Sequence, residues 1–451
     1  MKTQLFTARY LLATPERGFD GGGLLVRGGR VERLLETHGE VRRASQEHER
    51  VDLGDCILHA GLINAHAHLE LTGLAGRVRP EGSFAAWIGS VVGLRRAETD
   101  EGLVQAVHQG ARRALATGTT ALGDIDSCGV SERELSSGPL RARVYREALD
   151  AADPERTQAT LDTVRRSVAP VSVDSPVDTS AGEPAVGVGL SPHSPYTVSA
   201  ALWTALGELA RENRWPVSVH FAETEEEQDW LRAGSGPFGS LPLGTPPTRD
   251  GPPAEARSAL DVIDAAGLLG PRTSLVHANL ALPTELRRVA EAGATLVHCP
   301  GTHAFFDRGE APLAAFRSAG CRVALGTDSL ASNDDLDLFR ELVLLRRASP
   351  WIAPAEAWAM ATRNGARPLA LEAVTGELTP GSAADFCASG PVPGDGGAVG
   401  PGGGEVQRES VLEALTSAAC RPRQVWIGGQ PVARLDAADD RPPVAGGEGH
   451  G

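Results

Sequence analysis

Short apolar runs alternate with longer amphipathic stretches from Gly61 to about residue 370. The runs lie near residues 61–66, 119–124, 142–147, 186–190, 216–220, 273–277, 294–298 and 321–328, each of strand length. Between them, residues 102–116, 199–212, 283–292 and 354–366 repeat Ala, Leu, Arg and Glu at helical spacing. Strands alternating with helices predict a parallel sheet covered by helices. Eight such units over roughly 310 residues fit a (β/α)8 barrel, a fold of about 200 to over 400 residues. The first 60 residues have another texture. Short runs rich in β-branched residues and glycine are broken by Gly21-Gly22-Gly23 and Gly28-Gly29, which predicts small antiparallel strands. Gln424 to Val432 reads as strand, turn, strand in the same manner.

The expected organisation is an α/β chain whose two ends fold together. Residues 1–60 and 371–436 form a small β-sandwich-like domain, 61–370 the barrel, and 437–451 a disordered tail. Three stretches rich in Gly, Pro, Ser or Asp, 168–184, 233–254 and 389–404, read as loops; the first two lie beside the barrel, where closure over a pocket is an open question.

Charge narrows the partners. With 43 basic and 58 acidic residues among 451, the net charge of −15 argues against an extended nucleic-acid surface, which needs clustered positive charge. No apolar run approaches the roughly 18 residues of a membrane span, and the six cysteines are scattered without a CxxC pair. A cytoplasmic protein with free thiols is expected. The only lysine is Lys2, so lysine chemistry in the folded body is excluded.

The candidate chemistry lies at the ends of the predicted strands. His66-Ala-His68 closes the first one, and an i, i+2 pair on an extended chain puts two imidazoles on one side, the spacing that shares a metal ion. His220, followed three residues later by Glu223, ends the fifth strand, His277 the sixth and Asp328 the eighth. In a barrel the C-terminal strand ends converge on one mouth, so residues more than 250 positions apart meet there. Three neutral imidazoles and a carboxylate suit Zn²⁺, or Fe²⁺ as an alternative, and leave room for water.

On these motifs the chain resembles the amidohydrolase superfamily, in its mononuclear branch of cytosine-, guanine- and adenosine-type deaminases and chlorohydrolases. The resemblance implies one divalent ion held by His66, His68, His220 and Asp328. It further implies that His277 holds the water or a substrate oxygen and that Glu223 shuttles protons. The lysine that bridges two metals in binuclear members has no counterpart in Val186 to His193, so one ion is expected. The implied partners are water and an aminopurine nucleoside, and a homodimer is common in the family.

Other residues bear on the substrate. His193 matches a nucleoside-contacting histidine. Glu70, in His68-Leu-Glu70, and His303, in His298-Cys-Pro-Gly-Thr-His303, resemble the forms found in 6-aminodeoxyfutalosine deaminases, enzymes of the futalosine route to menaquinone. Gly301 stands where that resemblance implies an arginine. Arg146 is a candidate for binding a substrate benzoate, with a structural ion pair as the even alternative. Trp87 lies in the segment after the first strand that often covers the pocket; packing against its neighbours competes with contact to a purine. His298 and Cys299 follow a strand that does not ligate in this branch. The expected reaction is deamination of 6-aminodeoxyfutalosine. S-adenosylhomocysteine, methylthioadenosine, adenosine or guanine deamination and triazine hydrolysis are alternatives, and an inactive barrel serving as a binding module is the remote one. The His-x-Glu and Pro-Cys-x-x-Cys signature of the small zinc cytidine-deaminase fold is absent.

Overall fold

The computed structural model describes residues 2–168, 186–249, 258–393 and 403–432. Eight parallel strands in sequential order form one sheet. They are β1 (Leu62–Ala67), β2 (Thr119–Asp126), β3 (Arg141–Ala148), β4 (Val186–Pro192), β5 (Val217–Phe221), β6 (Thr273–His277), β7 (Thr295–His298) and β8 (Arg322–Leu325). Seven strand pairs are continuous ladders or bridges. The eighth contact is a parallel bridge between Ala67 and Asp328. There the N–H groups of Thr327 and Asp328 both donate to His66 O at 3.1 Å, and Asn64 reaches across to the Thr327 hydroxyl at 2.7 Å. The barrel therefore closes on the residues flanking the candidate ligands.

Closure requires close backbone approach. A Cβ on Gly326 would sit 2.9 Å from both Cβ and O of His66 and 3.1 Å from the Cys299 sulfur, so only glycine lets the last strand lie against the first. The extended run expected through residue 328 ends instead at Leu325, because Gly326 to Asp328 turn inward, with Asp328 at φ 57°. The helical expectation over 354–366 is also corrected: the segment divides into Pro354–Met360 and Arg363–Ala366 around Thr362, whose φ −130° and ψ −106° are not helical.

Two further sheets lie outside the barrel. One orders residues 30–35, 23–27, 3–7 and 49–52; the other orders 430–431, 421–427, 386–390, 57–60, 10–14 and 17–20. Phe6 and Leu24 of the first share an apolar core with Leu11, Leu58, Phe386 and Trp426 of the second. Not all pairing here is antiparallel. Thr3–Thr7 runs parallel to Glu49–Asp52, and Tyr10–Thr14 parallel to Ile57–Ala60. Parallel neighbours need a long crossover. The helix His38–Glu47, started by a reciprocal Thr37 and Glu40 capping box, lies in one such connection.

Arg141 at the start of β3 is 1% exposed and pairs with Asp385, which also accepts from the Gly428 N–H at 2.8 Å, tying the barrel to the terminal sheet. The loop expected over 233–254 contains two short 3-10 turns, Pro237–Ser240 and Pro247–Arg249, and is anchored by the fully buried Phe238. Residues 250–254 of it, most of 168–184 and 389–404, and the expected tail lie outside the described residues.

Candidate active site

His66 and His68, at the end of β1 and just beyond it, meet His220 of β5. One ring nitrogen from each falls within 4.8 Å of the others. His68 Nε2 and His220 Nε2 are 3.4 Å apart, and Asp328 Oδ1 lies 3.6 Å from Nε2 of both His66 and His68. The other Asp328 oxygen accepts from the hydroxyls of Thr302 at 3.1 Å and Ser332 at 2.9 Å, which fixes the carboxylate plane. His220 Nδ1 lies 3.2 Å from the backbone oxygen of His193; donating there leaves Nε2 as a free lone pair. Among the described residues, both buried ring nitrogens of His66 lack a hydrogen-bond partner. Its Nε2, facing the Asp328 carboxylate, is what a divalent cation would satisfy.

The electrostatics agree with ligation, which needs neutral imidazoles. Burial first, then the charge of neighbouring His66, brings His68 down to about 3, and burial likewise lowers His193 to about 4. Burial and the adjacent histidines hold His220 well below its ordinary value. For Asp328, burial acts to raise the carboxyl but is outweighed by the surrounding imidazoles of His66, His68 and His277, so it lies well below the carboxylate range.

Glu223 and His277 stand beside this cluster, with His277 Nε2 3.6 Å from Glu223 Oε2. The Glu223 N–H donates to Glu227 at 2.7 Å and its carbonyl accepts from Asn279 at 3.1 Å, so the backbone carrying the carboxylate is held at both ends. Ala222, His277, Ala278 and Asp328 all have φ between 50° and 74°. Left-handed backbone at four non-glycine residues is costly and turns the strand ends into the mouth.

The remaining candidates separate. His193 joins the centre, its ring 4.9 Å from that of His220 and its Nδ1 2.8 Å from the Thr197 hydroxyl. Trp87 and His303 line a cavity of about 490 Å³ above Glu223. Trp87 stacks on Phe84 at 5.3 Å, meets Phe306 edge-on at 5.1 Å, and donates to Ala331 O at 3.3 Å. Its helix, Phe84–Arg96, starts on the Glu226 carboxylate, which accepts from the N–H groups of Phe84 and Ala85. Glu70 and Arg146 are held elsewhere. Glu70 accepts from Arg95 at 3.0 Å and from the N–H groups of Ser127 and Cys128. Arg146 is ion-paired with Asp126 and Glu132.

A side chain at Gly301 would displace the buried Asn333 and Glu341, whose polar ends lie 2.3 to 2.5 Å from where a Cβ would stand. Three further residues belong to the site. Ser332 steadies Asp328, Glu147 offers an oxygen within 4.8 Å of ring nitrogens of His193 and His220, and Arg308 donates to Glu223 Oε1 at 2.8 Å. Burial and the Glu70 charge raise Glu147 to about 8. Its position on β3, one residue from Arg146 and so on the opposite side of the strand, was the available signal.

The fold and the cluster at its mouth define a barrel hydrolase built around a divalent metal. The model of the amidohydrolase family matches residues 57–432, and the chain belongs to that family, as an aminohydrolase. A 5-methylthioadenosine/S-adenosylhomocysteine deaminase of Teredinibacter turnerae is 29% identical over 385 residues, covering 83% of this chain and 80% of that protein. An aminodeoxyfutalosine deaminase of Deinococcus radiodurans is 29% identical over 361 residues, covering 77% and 81%. Among solved structures, a Xanthomonas campestris adenosine deaminase with bound zinc superposes with TM-score 0.74 at 23% identity, covering 96% of this chain and 94% of that one.

Proposed function

We propose that the protein deaminates an aminopurine nucleoside by hydrolysis, with 6-aminodeoxyfutalosine of menaquinone biosynthesis as the substrate. The observation that carries the reading is the juxtaposition of His66, His68, His220 and Asp328 with Glu223 and His277 at one end of the barrel. In this reading the four former residues hold one zinc ion. When bound, the ion supplies Lewis acidity, which brings the pKa of water from 15.7 to roughly 7.

The protein's own groups handle protons and orientation. Glu223 takes a proton from the attacking water and delivers it to the ring nitrogen next to the amine-bearing carbon. Asp328 passes the second proton to the departing amine, so one water enters and one ammonia leaves. His277 orients the nucleophile and donates to the oxygen that develops charge. His193 and Glu147 lie on the β3–β4 side of the mouth, where they can reach the purine and its sugar. Trp87, Phe84 and Phe306 form an aromatic wall that excludes water from one side.

The similarity to the aminodeoxyfutalosine deaminase supports the choice of substrate, and the comparable similarity to the methylthioadenosine/S-adenosylhomocysteine deaminase favours those nucleosides as the second reading. Metal analysis of purified protein, combined with ammonia release from 6-aminodeoxyfutalosine, methylthioadenosine, S-adenosylhomocysteine and adenosine, separates the two. One zinc per chain and fastest turnover of the first are expected. Good turnover of the others with none of the first would replace the substrate, and no ammonia from any metal-loaded sample would end the deaminase reading.

A further inference from the structure

Arg308 is the only arginine or lysine among the described residues lining the cavity above Glu223. It follows the helix Pro300–Phe305, and its guanidinium is held in three ways. Nη2 donates to Glu223 Oε1 at 2.8 Å, and the group lies 4.5 Å from the Phe306 ring centre and 5.6 Å from that of Phe84. Nη1 is buried with no hydrogen-bond partner among the described residues. A guanidinium with one arm on the proton-shuttling carboxylate and the other unsatisfied is an incomplete ion pair. Its fork is shaped to take a carboxylate through two parallel bonds.

Turnover makes the incompleteness consequential. The substrate ring nitrogen must reach the same Glu223 carboxylate, so a docking purine competes with Arg308. A neutral nucleoside that displaced the arginine would leave a largely buried cation without its partner, which is strongly unfavourable. A nucleoside carrying its own carboxylate at the far end would offer a replacement. We propose that Arg308 determines specificity by exchanging carboxylates: on binding it leaves Glu223 and pairs with an anionic carboxylate on the non-purine end of the substrate. This rests on the deaminase reading above. The exposed Glu225 and Glu310 on the cavity rim disfavour a doubly charged phosphate. The wall of Phe84, Trp87 and Phe306 favours an aryl carboxylate. Arg146, the other candidate for such a contact, is already committed to Asp126 and Glu132.

The test uses binding without turnover. The deaminated, hypoxanthine form of 6-aminodeoxyfutalosine is titrated as free acid and as methyl ester into metal-loaded wild-type, Arg308→Met and Arg308→Lys enzymes. The wild type should prefer the acid by about tenfold or more, the size of a charge-assisted contact. The acid-to-ester ratio should fall toward one in Arg308→Met and be intermediate in Arg308→Lys, which keeps the charge without the fork. Equal affinity of acid and ester for the wild type, failure of both to bind, or an unchanged ratio in a folded Arg308→Met would overturn the proposal. Ammonia release from the amino nucleosides, measured in parallel, addresses the deaminase reading separately. Its absence alongside a preserved acid preference counts against that reading alone.

Discussion

Glu223 stands apart from the histidine cluster, and its replacement should separate metal binding from proton transfer. Glu223→Gln is expected to retain the metal stoichiometry of the wild type while losing about 10²- to 10⁴-fold in kcat, the usual contribution of a positioned acid–base group. Loss of zinc by that variant would reassign the residue as a ligand. Behind it, Glu227 is 1% exposed, and its Oε1 is buried without a partner among the described residues, as suits a neutral carboxylic acid. Burial raises it to about 8, with backbone N–H donors opposing and the Glu223 charge adding to the rise. A folded pKa above the ordinary 4.5 means that folding takes up a proton. The linked stability is full below about pH 4.5 and is lost as pH rises through about 8. The melting temperature should therefore fall between about pH 5 and pH 9, and fall less in Glu227→Gln. The histidines were readable in the sequence because an imidazole ending an apolar strand is chemically conspicuous. Arg308 and Ser332 were not, because they stand on connecting segments whose paths no periodicity records, and Glu147 was signalled only by its place on β3 beside Arg146.

At the level of the elements, apolar periodicity located every barrel strand, and most ends agree to within a residue or two. It failed where tertiary demands override it. The last strand stops at Leu325 so that Asp328 can turn toward His66 and His68, and an unbroken run of strand-forming residues carries no sign of that bend. The parallel pairs in the terminal sheets were equally hidden, since strand direction depends on the crossover and not on the strand itself. Gly326 tests the closure directly. Gly326→Ala forces a methyl group against His66 and the Cys299 sulfur, and is expected to cost about 1 to 3 kcal/mol in chemical denaturation. Because it pushes on a proposed ligand, it should also weaken zinc affinity in chelator competition. A variant of wild-type stability and affinity would show that the strand relaxes without effect.

For the whole molecule, the Arg141–Asp385 pair ties a barrel strand to the sheet that residues near both ends build together. Both side chains are almost wholly enclosed, so removing one partner strands the other. Asp385→Ala should cost about 3 to 5 kcal/mol, read as a lower denaturant midpoint for barrel and terminal sheets alike. Two separate transitions, with the barrel unmoved, would show that the tie carries little. Zinc should act on the whole fold in the opposite sense. At a free concentration 100 times its Kd it adds about 2.7 kcal/mol, so a chelator should lower the melting temperature and returned metal restore it.

The bridge between Ala67 and Asp328 also has a consequence for synthesis. A chain growing from its amino end presents His66 and His68 some 260 residues before Asp328 is made, and the strand Ile57–Ala60 waits longer still for its neighbour at 386–390. Until then the barrel has no closing partner for its first strand, on which the imidazole pair stands. The proposed set of four ligands is complete only after the ribosome has passed Asp328, which places metal capture by the full site late in synthesis, with residues 329–451 still to be added.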